Sequence, residues 1–565
     1  MKVRISIISI IIFLINGLSV FSQNLERVGE TPVFSAGGSL GLNLSYYGVS
    51  GIPERYRPFD YSLLGSFTVN LFGIAFPFTA TVSQQNRSFI QPFNQYGVSP
   101  KYKWITAHAG WRSLNYSPYT LAGHTFLGGG IDINPGLFRF SAMYGRFLAA
   151  TAGSSDSAAF YTINPTYERR GYAIKAGIGT SGDYADLILL KGWDLPHSIS
   201  DSVQALSDSL NNMVKPAENM VMGLTSRFSL FSVLNFDIDG AASLYTLDTR
   251  ASAIPDSSIS GLFKALNGIF AIHTSTQLTT ALQTGVTYRG SGYSLRLAYK
   301  RIDPDYKSMG MYYSESDVEN ITFAPTFSLA QNALRLGGSI GVQKDNLLNT
   351  KSNTSNRIIG SADVSYNQPF YGIDLKYSTY GITQARGLNP VIDSIKIARV
   401  NHNFNVIGRY TLSGEKSIHN FLVMCGYQTL VDNNSYTAGN TETQNYTVTL
   451  TYQSTLTELG LSYGANINAV HSTIGSLKNI FIGPVIQINY AISSFSIGGA
   501  MGYQLQNVNG ASAGATTTLT LQSGYQLTKA HSLRLDMNLI NSKTDVQGNP
   551  RFTEYRTSIG YVYNF

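Results

Sequence analysis

The sequence predicts an all-β chain closed into a single large antiparallel transmembrane barrel of 24 or 26 strands, with short turns at one end and longer loops at the other. Three observations carry the prediction. The first is a period of two with one apolar and one wet face. "SLRLDMNLI" sets Leu533, Leu535, Met537 and Leu539 against Arg534, Asp536 and Asn538, and "YSLRLAYK" sets Tyr293, Leu295, Leu297 and Tyr299 against Ser294, Arg296 and Lys300. "GIDLKYSTY" and "LRLGGSIGV" repeat the pattern with Asp374 and Lys376, and with Arg335, on the wet side. Such alternation is the signature of a strand. A soluble sandwich shows it too, so the decision falls to the other two observations. Hairpins are joined alternately by short turns ("INPGL", "GTSGDY", "RGSGY", "AQNAL", "NQPFYG", "LSGEK", "AISSF", "LTKAH") and by longer polar loops. Aromatic residues crowd the strand ends, as in "YKW", "GYQL" and "GYVYNF".

Composition agrees. Charged residues are 13% of the 565, while Gly (54), Tyr (36) and Phe (29) are abundant, a mixture poor in helix formers and rich in strand formers. The start, "MKVRISIISIIIFLINGLSVFSQ", has basic Lys2 and Arg4, an apolar stretch and small residues before Gln23, which predicts a signal peptide over 1–22, cleaved near Ser22/Gln23. An uncleaved anchor is the alternative. Past residue 22 no apolar run approaches the roughly 18 residues of a spanning helix, and the mean hydropathy is −0.02. Cys425 is the single cysteine, so no intramolecular disulfide can form. Without the leader, 38 basic face 33 acidic residues, an imbalance too small and scattered for a nucleic-acid partner.

After a short segment, 23–33, the barrel is expected over 34–565. Alternation marks strands at 34–47, 60–72, 74–84, 101–113, 125–134, 137–147, 168–179, 184–193, 218–230, 231–247, 276–289, 293–302, 318–330, 334–344, 356–368, 371–382, 398–413, 416–430, 443–455, 457–470, 478–491, 493–506, 514–527, 530–541 and 553–565. That is an odd number, whereas a single-chain barrel with both ends on one side requires an even one. Counting back from the C-terminus, the parity breaks before Thr125, so one strand near 101–134 is missing or superfluous.

The last strand, "TEYRTSIGYVYNF", places Ile559, Tyr561, Tyr563 and Phe565 on one face and stops on the aromatic. With the export signal and the short/long hairpins, this resembles a Gram-negative outer-membrane β-barrel, porin-like, and the leader resembles those of Bacteroidota. The resemblance implies an outer-membrane location in contact with lipid, short turns in the periplasm and loops outside. It also implies that Ile559, Tyr561, Tyr563 and Phe565 are the signal read by the barrel-assembly machinery. A last strand paired with the first would account for an ending without a polar tail.

The segment "WITAHAGWRSLNYSPYTLAGHTFLGGGIDI" is the richest in unusual residues. With Ile105, Ala107, Ala109 and Trp111 toward lipid, His108 and Arg112 face the lumen, and "NYSPYTLAGHTF" either folds inward as a constriction carrying Tyr116, Tyr119 and His124 or is an ordinary loop turning at Pro118 and Gly123. His108 and His124 lack a third ligand at metal spacing. "GGSLG" and "GGSIG" match a nucleophile elbow formally, but Ser39 and Ser339 fall mid-strand. No catalytic residue, metal site or cofactor is expected. Helical periodicity appears in 198–213 and in 257–270, whose apolar faces are expected to cover the barrel mouth or a partner. Expected lumen positions hold Arg112, Arg139, Lys175, Arg296, Lys300, Arg335, Lys376, Arg534 and Arg556 against Asp186, Asp363, Asp374, Asp536 and Glu554. The excess predicts either a mild anion preference or cross-strand ion pairs that stiffen the wall. The expected function is a passive, loop-constricted channel for hydrophilic solutes, without a globular plug before the first strand. The alternative is a structural or accessory subunit docking another envelope protein, and either could form a homo-oligomer.

Overall fold

The computed structural model describes residues 34–71, 74–84, 95–151, 165–199, 214–255, 269–387, 391–544 and 550–565. The expected leader, the segment 23–33 and nearly all of the two helical stretches lie outside the described residues. No described helix is long and apolar enough to cross a membrane.

Among the described residues the backbone forms one sheet of 27 β-segments. Apart from Gln95–Val98 and Lys101–Tyr102, each pairs antiparallel with its neighbours in chain order, and the sheet closes where Phe34–Ser50 pairs with Phe552–Asn564, from Ser39 opposite Asn564 to Ser50 opposite Thr553. Gln95–Val98 and Lys101–Tyr102 share one place in the wall, between Ile74–Ser83 and Ile105–Asn115. The protein is therefore a closed barrel of 26 wall strands.

That interrupted strand is the one missing from the sequence count. It is broken because Pro100 has no N–H to give the ladder; its carbonyl still accepts from Ala107 N at 2.9 Å. The expected strand 101–113 is corrected accordingly. Lys101 and Tyr102 close the preceding strand, the chain turns at Lys103 (φ 50°), and the next strand runs Ile105–Asn115. A second correction concerns the loops, since the long-loop end also has two tight turns. These lie between Leu461–Ile474 and Leu477–Ile492 and between Phe495–Val508 and Ala511–Gln526. Positive φ at Asn509 (51°) and Gly510 (84°) gives the second the hand that matches strand twist.

Because the wall is closed, one face of every strand points inward. Side chains of one face stay aligned across each antiparallel pair, so the assignment propagates around the barrel. The outward face is apolar and open: Leu187 is 67% exposed, Ile178 68%, Ile340 59% and Ile486 66%. Aromatic side chains stack along the rim at the short-turn end, as with Phe228 and Phe236 (4.9 Å) and Tyr293 and Phe327 (6.3 Å). Strands about 4.8 Å apart and tilted near 40° give a barrel of 26 a diameter on the order of 50 Å if circular. Two of the buried apolar clusters lie against the inner wall from Ile105–Asn115 to Val318–Leu329, under two inward segments.

Candidate channel lumen

The first inward segment is 116–121. It leaves Ile105–Asn115 through a register shift between Ser113 and Asn115, and Tyr116 N bonds back to Leu121 O at 2.8 Å. Tyr116, Leu121, Phe126, Met143 and Phe147 bury one another against Ile188 and Leu190. The Tyr116 hydroxyl pairs with Ser141 Oγ at 2.6 Å and its ring lies 5.0 Å from Lys175 Nζ. Tyr119 Oη donates across to Gln283 Oε1 at 3.0 Å.

The second segment, 303–317, lies on the first. Ser308 Oγ donates to Thr120 O at 2.7 Å, Tyr306 Oη donates to Tyr119 O, and Ala122 N donates to Gly310 O at 3.0 Å. Buried Asn219 ties this layer to the wall. Its Oδ1 accepts from Met309 N at 2.9 Å, and its Nδ2 donates to Ser243 Oγ (2.8 Å) and Leu244 O (3.0 Å). Two glycines permit the approach. A Cβ on Gly223 would lie 2.5 Å from Thr120 Cγ2, and one on Gly310 would lie 2.5 Å from Leu190 Cδ1 and 2.6 Å from Thr120 O. The irregular backbone can be buried here because these partners satisfy its polar groups.

His108 and His124 are not brought together. His108 stands opposite Gly130, six residues from His124 along the same strand, about 20 Å at strand rise. His124 is buried, stacked on Tyr312 at 4.2 Å, with Nδ1 2.9 Å from Thr125 O. His108 lies between Ser99 Oγ (2.9 Å, at Nδ1) and Asp132 Oδ2 (2.9 Å, at Nε2), a Ser–His–Asp row that sequence spacing does not reveal. Neither the amide of Ser99 nor that of the next residue is free to serve an oxyanion. Ser99 N is committed to Pro77 O at 3.1 Å and the following residue, Pro100, has no N–H. Asp132 also accepts from Ser141, so the row continues to Tyr116 and braces the inward segment.

The expected lumen cations fall into two groups. Arg139 is bidentate to Asp186 (2.8 and 2.9 Å) and Arg296 to Asp237 (2.7 and 2.9 Å). Arg534 pairs with Asp536 at 2.9 Å. Arg112 donates to Thr79 Oγ1 at 3.0 Å, and neighbouring Trp111, placed on the outer face by alternation, is buried. Among the described residues Arg335 and Lys376 have no ion pair. Sequence reasoning missed Asp237, although "NFDIDG" carries it in register with Asp239. Replacing Arg296 by alanine should lower the free energy of urea unfolding by about 1–2 kcal/mol, as expected for a half-exposed bidentate pair. Arg534→Ala, at a more exposed pair, should shift it by under about 0.5 kcal/mol.

The opposite side of the barrel is different. The five strands from Thr443–Leu456 to Ala511–Gln526 carry mostly threonine, asparagine, glutamine, serine and small residues inward, with Val470, Phe481 and Val485 among them, and Val448, Leu450, Ile467, Ile486 and Met501 exposed outward.

No family model matches the sequence, and no curated protein matches it. Among solved structures the chain is similar to the outer membrane protein OpdK from Pseudomonas aeruginosa, at 10% identity and a TM-score of 0.31 over 62% of this chain and 95% of that one. It is also similar to Pseudomonas aeruginosa OccK2 (9%, 0.31) and Acinetobacter baumannii OccAB4 (10%, 0.28), each over 94% of this chain and 98% of the other.

Proposed function

We propose that the protein is a Gram-negative outer-membrane β-barrel, from a Bacteroidota-like source, that acts as a passive channel for hydrophilic solutes. In this reading residues 1–22 are the export leader, the short turns are periplasmic, and the bore is narrowed along one wall by 116–121 and 303–317. The observation that carries it is the inversion of faces: apolar side chains outside, hydrogen-bonding side chains inside, in a wall without free edges. Hydrocarbon tolerates such an exterior and water does not. Among the described residues the two inward segments lie along one wall of a barrel on the order of 50 Å across.

Purified protein in planar bilayers should give discrete conductance steps at low voltage, and a barrel sealed at all voltages overturns the channel. A second reading, an accessory subunit docking an envelope protein, draws on Phe270. It is buried against Met220 and Leu244, which face away from the inward Asn219 and Ser243, so part of the 247–275 loop lies on the outer wall. Under that reading extraction in mild detergent brings a stoichiometric partner; a channel runs alone or as a homo-oligomer.

A further inference from the structure

Across residues 443–526 the sequence has only two charged side chains, Glu458 and Lys478, although 13% of the whole chain is charged. Glu458 stands in a turn, and Lys478 shares the outward parity of Ile480 and Ile482. Five adjacent strands thus present an uncharged inner wall. A chance thinning of charge would leave aliphatic residues as readily as amides, yet positions 445, 447, 449, 451 and 453 are Asn, Thr, Thr, Thr and Gln in unbroken alternation. Neighbouring strands add Asn466, Asn468, Gln487, Asn489 and Gln504, which outnumber the inward Val470, Phe481 and Val485. Where Gly483, Ala500 and Gly502 thin the wall, a groove of about 290 Å³ forms, bordered by Asn468, Gln504, Thr516, Thr518 and Thr520, with Val485 and Tyr503 supplying apolar surface beside them.

A primary amide offers two donors and an acceptor, and a hydroxyl offers both functions. A surface of such groups, repeating about 7 Å along each strand and about 5 Å between strands, presents mixed donors and acceptors at the scale of a sugar ring. An uncharged polyol can exchange its bonds to water for bonds to this surface nearly one for one. An ionic solute finds no counter-charge here and pays for lost hydration. We propose that the groove between Leu461–Ile474 and Ala511–Gln526 is a subsite for uncharged oligosaccharides, and that these are the solutes the channel admits. The second clause rests on the channel reading; the first does not.

The test is calorimetric titration of the full chain in an amine-oxide detergent, since sugar-headed detergents would compete. The probes are maltohexaose, cellohexaose and xylohexaose, with hexagalacturonate as the charged homologue and an N-acetylated, C-amidated Ser-Gly hexapeptide as the uncharged non-sugar control. At least one neutral hexaose should bind ten times or more tighter than hexagalacturonate and the peptide. Thr518→Lys should weaken it at least tenfold and Thr518→Ser less than threefold. The variant's retained barrel is checked by its heat-dependent shift on gels. Binding of no neutral hexaose, equal binding of either control, or indifference to Thr518→Lys overturns the subsite. Bilayer conductance separates the two readings: binding without conductance removes the channel and keeps the subsite, while conductance without binding does the reverse.

Discussion

Asn219→Ala should detach 303–317 from the inner wall and widen the conducting path. The side chain is fully buried and joins Met309 N to Ser243 Oγ and Leu244 O, and it positions the Ser243 hydroxyl that donates to Lys307 O at 2.7 Å. Its loss leaves the Met309 amide without its acceptor in a buried site, at about 1–3 kcal/mol for each group left unpaired. The small cavity adds to this. A local loss of about 3 kcal/mol raises the population of the detached segment by roughly two orders of magnitude. The 26-strand wall, paired by its own ladders, should remain. Lys307 lies in the segment and is exposed, so trypsin reports on detachment directly. The variant should be cut at Lys307 much faster than the parent and show larger, noisier conductance steps. Parental cleavage rates and conductance would mean that the two segments do not depend on Asn219.

The parts of the fold legible in the sequence are those with a period. Strands from Glu168–Gly179 onward announce themselves because outward leucine, isoleucine and tyrosine alternate with polar residues over ten or more positions. Gln95–Tyr102 does not, since it is short, contains Gly97 and Pro100, and pairs through two separate pieces. The odd total located the fault without resolving it. The site is less legible because its contacts join residues far apart in sequence. Tyr119 meets Gln283 and Tyr306, and Arg296 meets Asp237, through a sheet register that no local pattern encodes. The inward sidedness of Tyr116 and Tyr119 was open as one of two readings; their partners required coordinates. The uncharged wall was in plain view as composition, but it acquires meaning only once five strands are known to be neighbours facing one space.

Closure of the barrel is the pairing with the largest sequence separation, since Ser39 stands opposite Asn564. The seam is held by main-chain bonds in both directions between Gly38 and Phe565, each 3.0 Å, and by an outward aromatic row. Tyr46 packs on Tyr555 across the seam at 5.9 Å, and Phe67 of the second strand lies 6.2 Å from Phe565; on the far side of the last strand His531 stacks on Tyr563 at 4.8 Å and bonds Tyr561 Oη at 2.7 Å. Ile559, flanked by Leu44 and Leu535, is 49% exposed on the outer face in mid-strand. A lysine there costs about 2–4 kcal/mol in the hydrocarbon midplane, enough to lower the folded-to-unfolded ratio by roughly one and a half to three powers of ten where assembly is reversible. Ile559→Lys should therefore remove most heat-modifiable protein from the outer-membrane fraction. Phe565→Ser should act in the same direction by weakening the terminal signal proposed for assembly. Ser558→Lys, one residue away but facing the lumen beside Asp536, should assemble at near-parental levels. If Ile559→Lys and Ser558→Lys accumulate equally, lipid does not contact the outer face of the final strand, and the transmembrane reading fails with it.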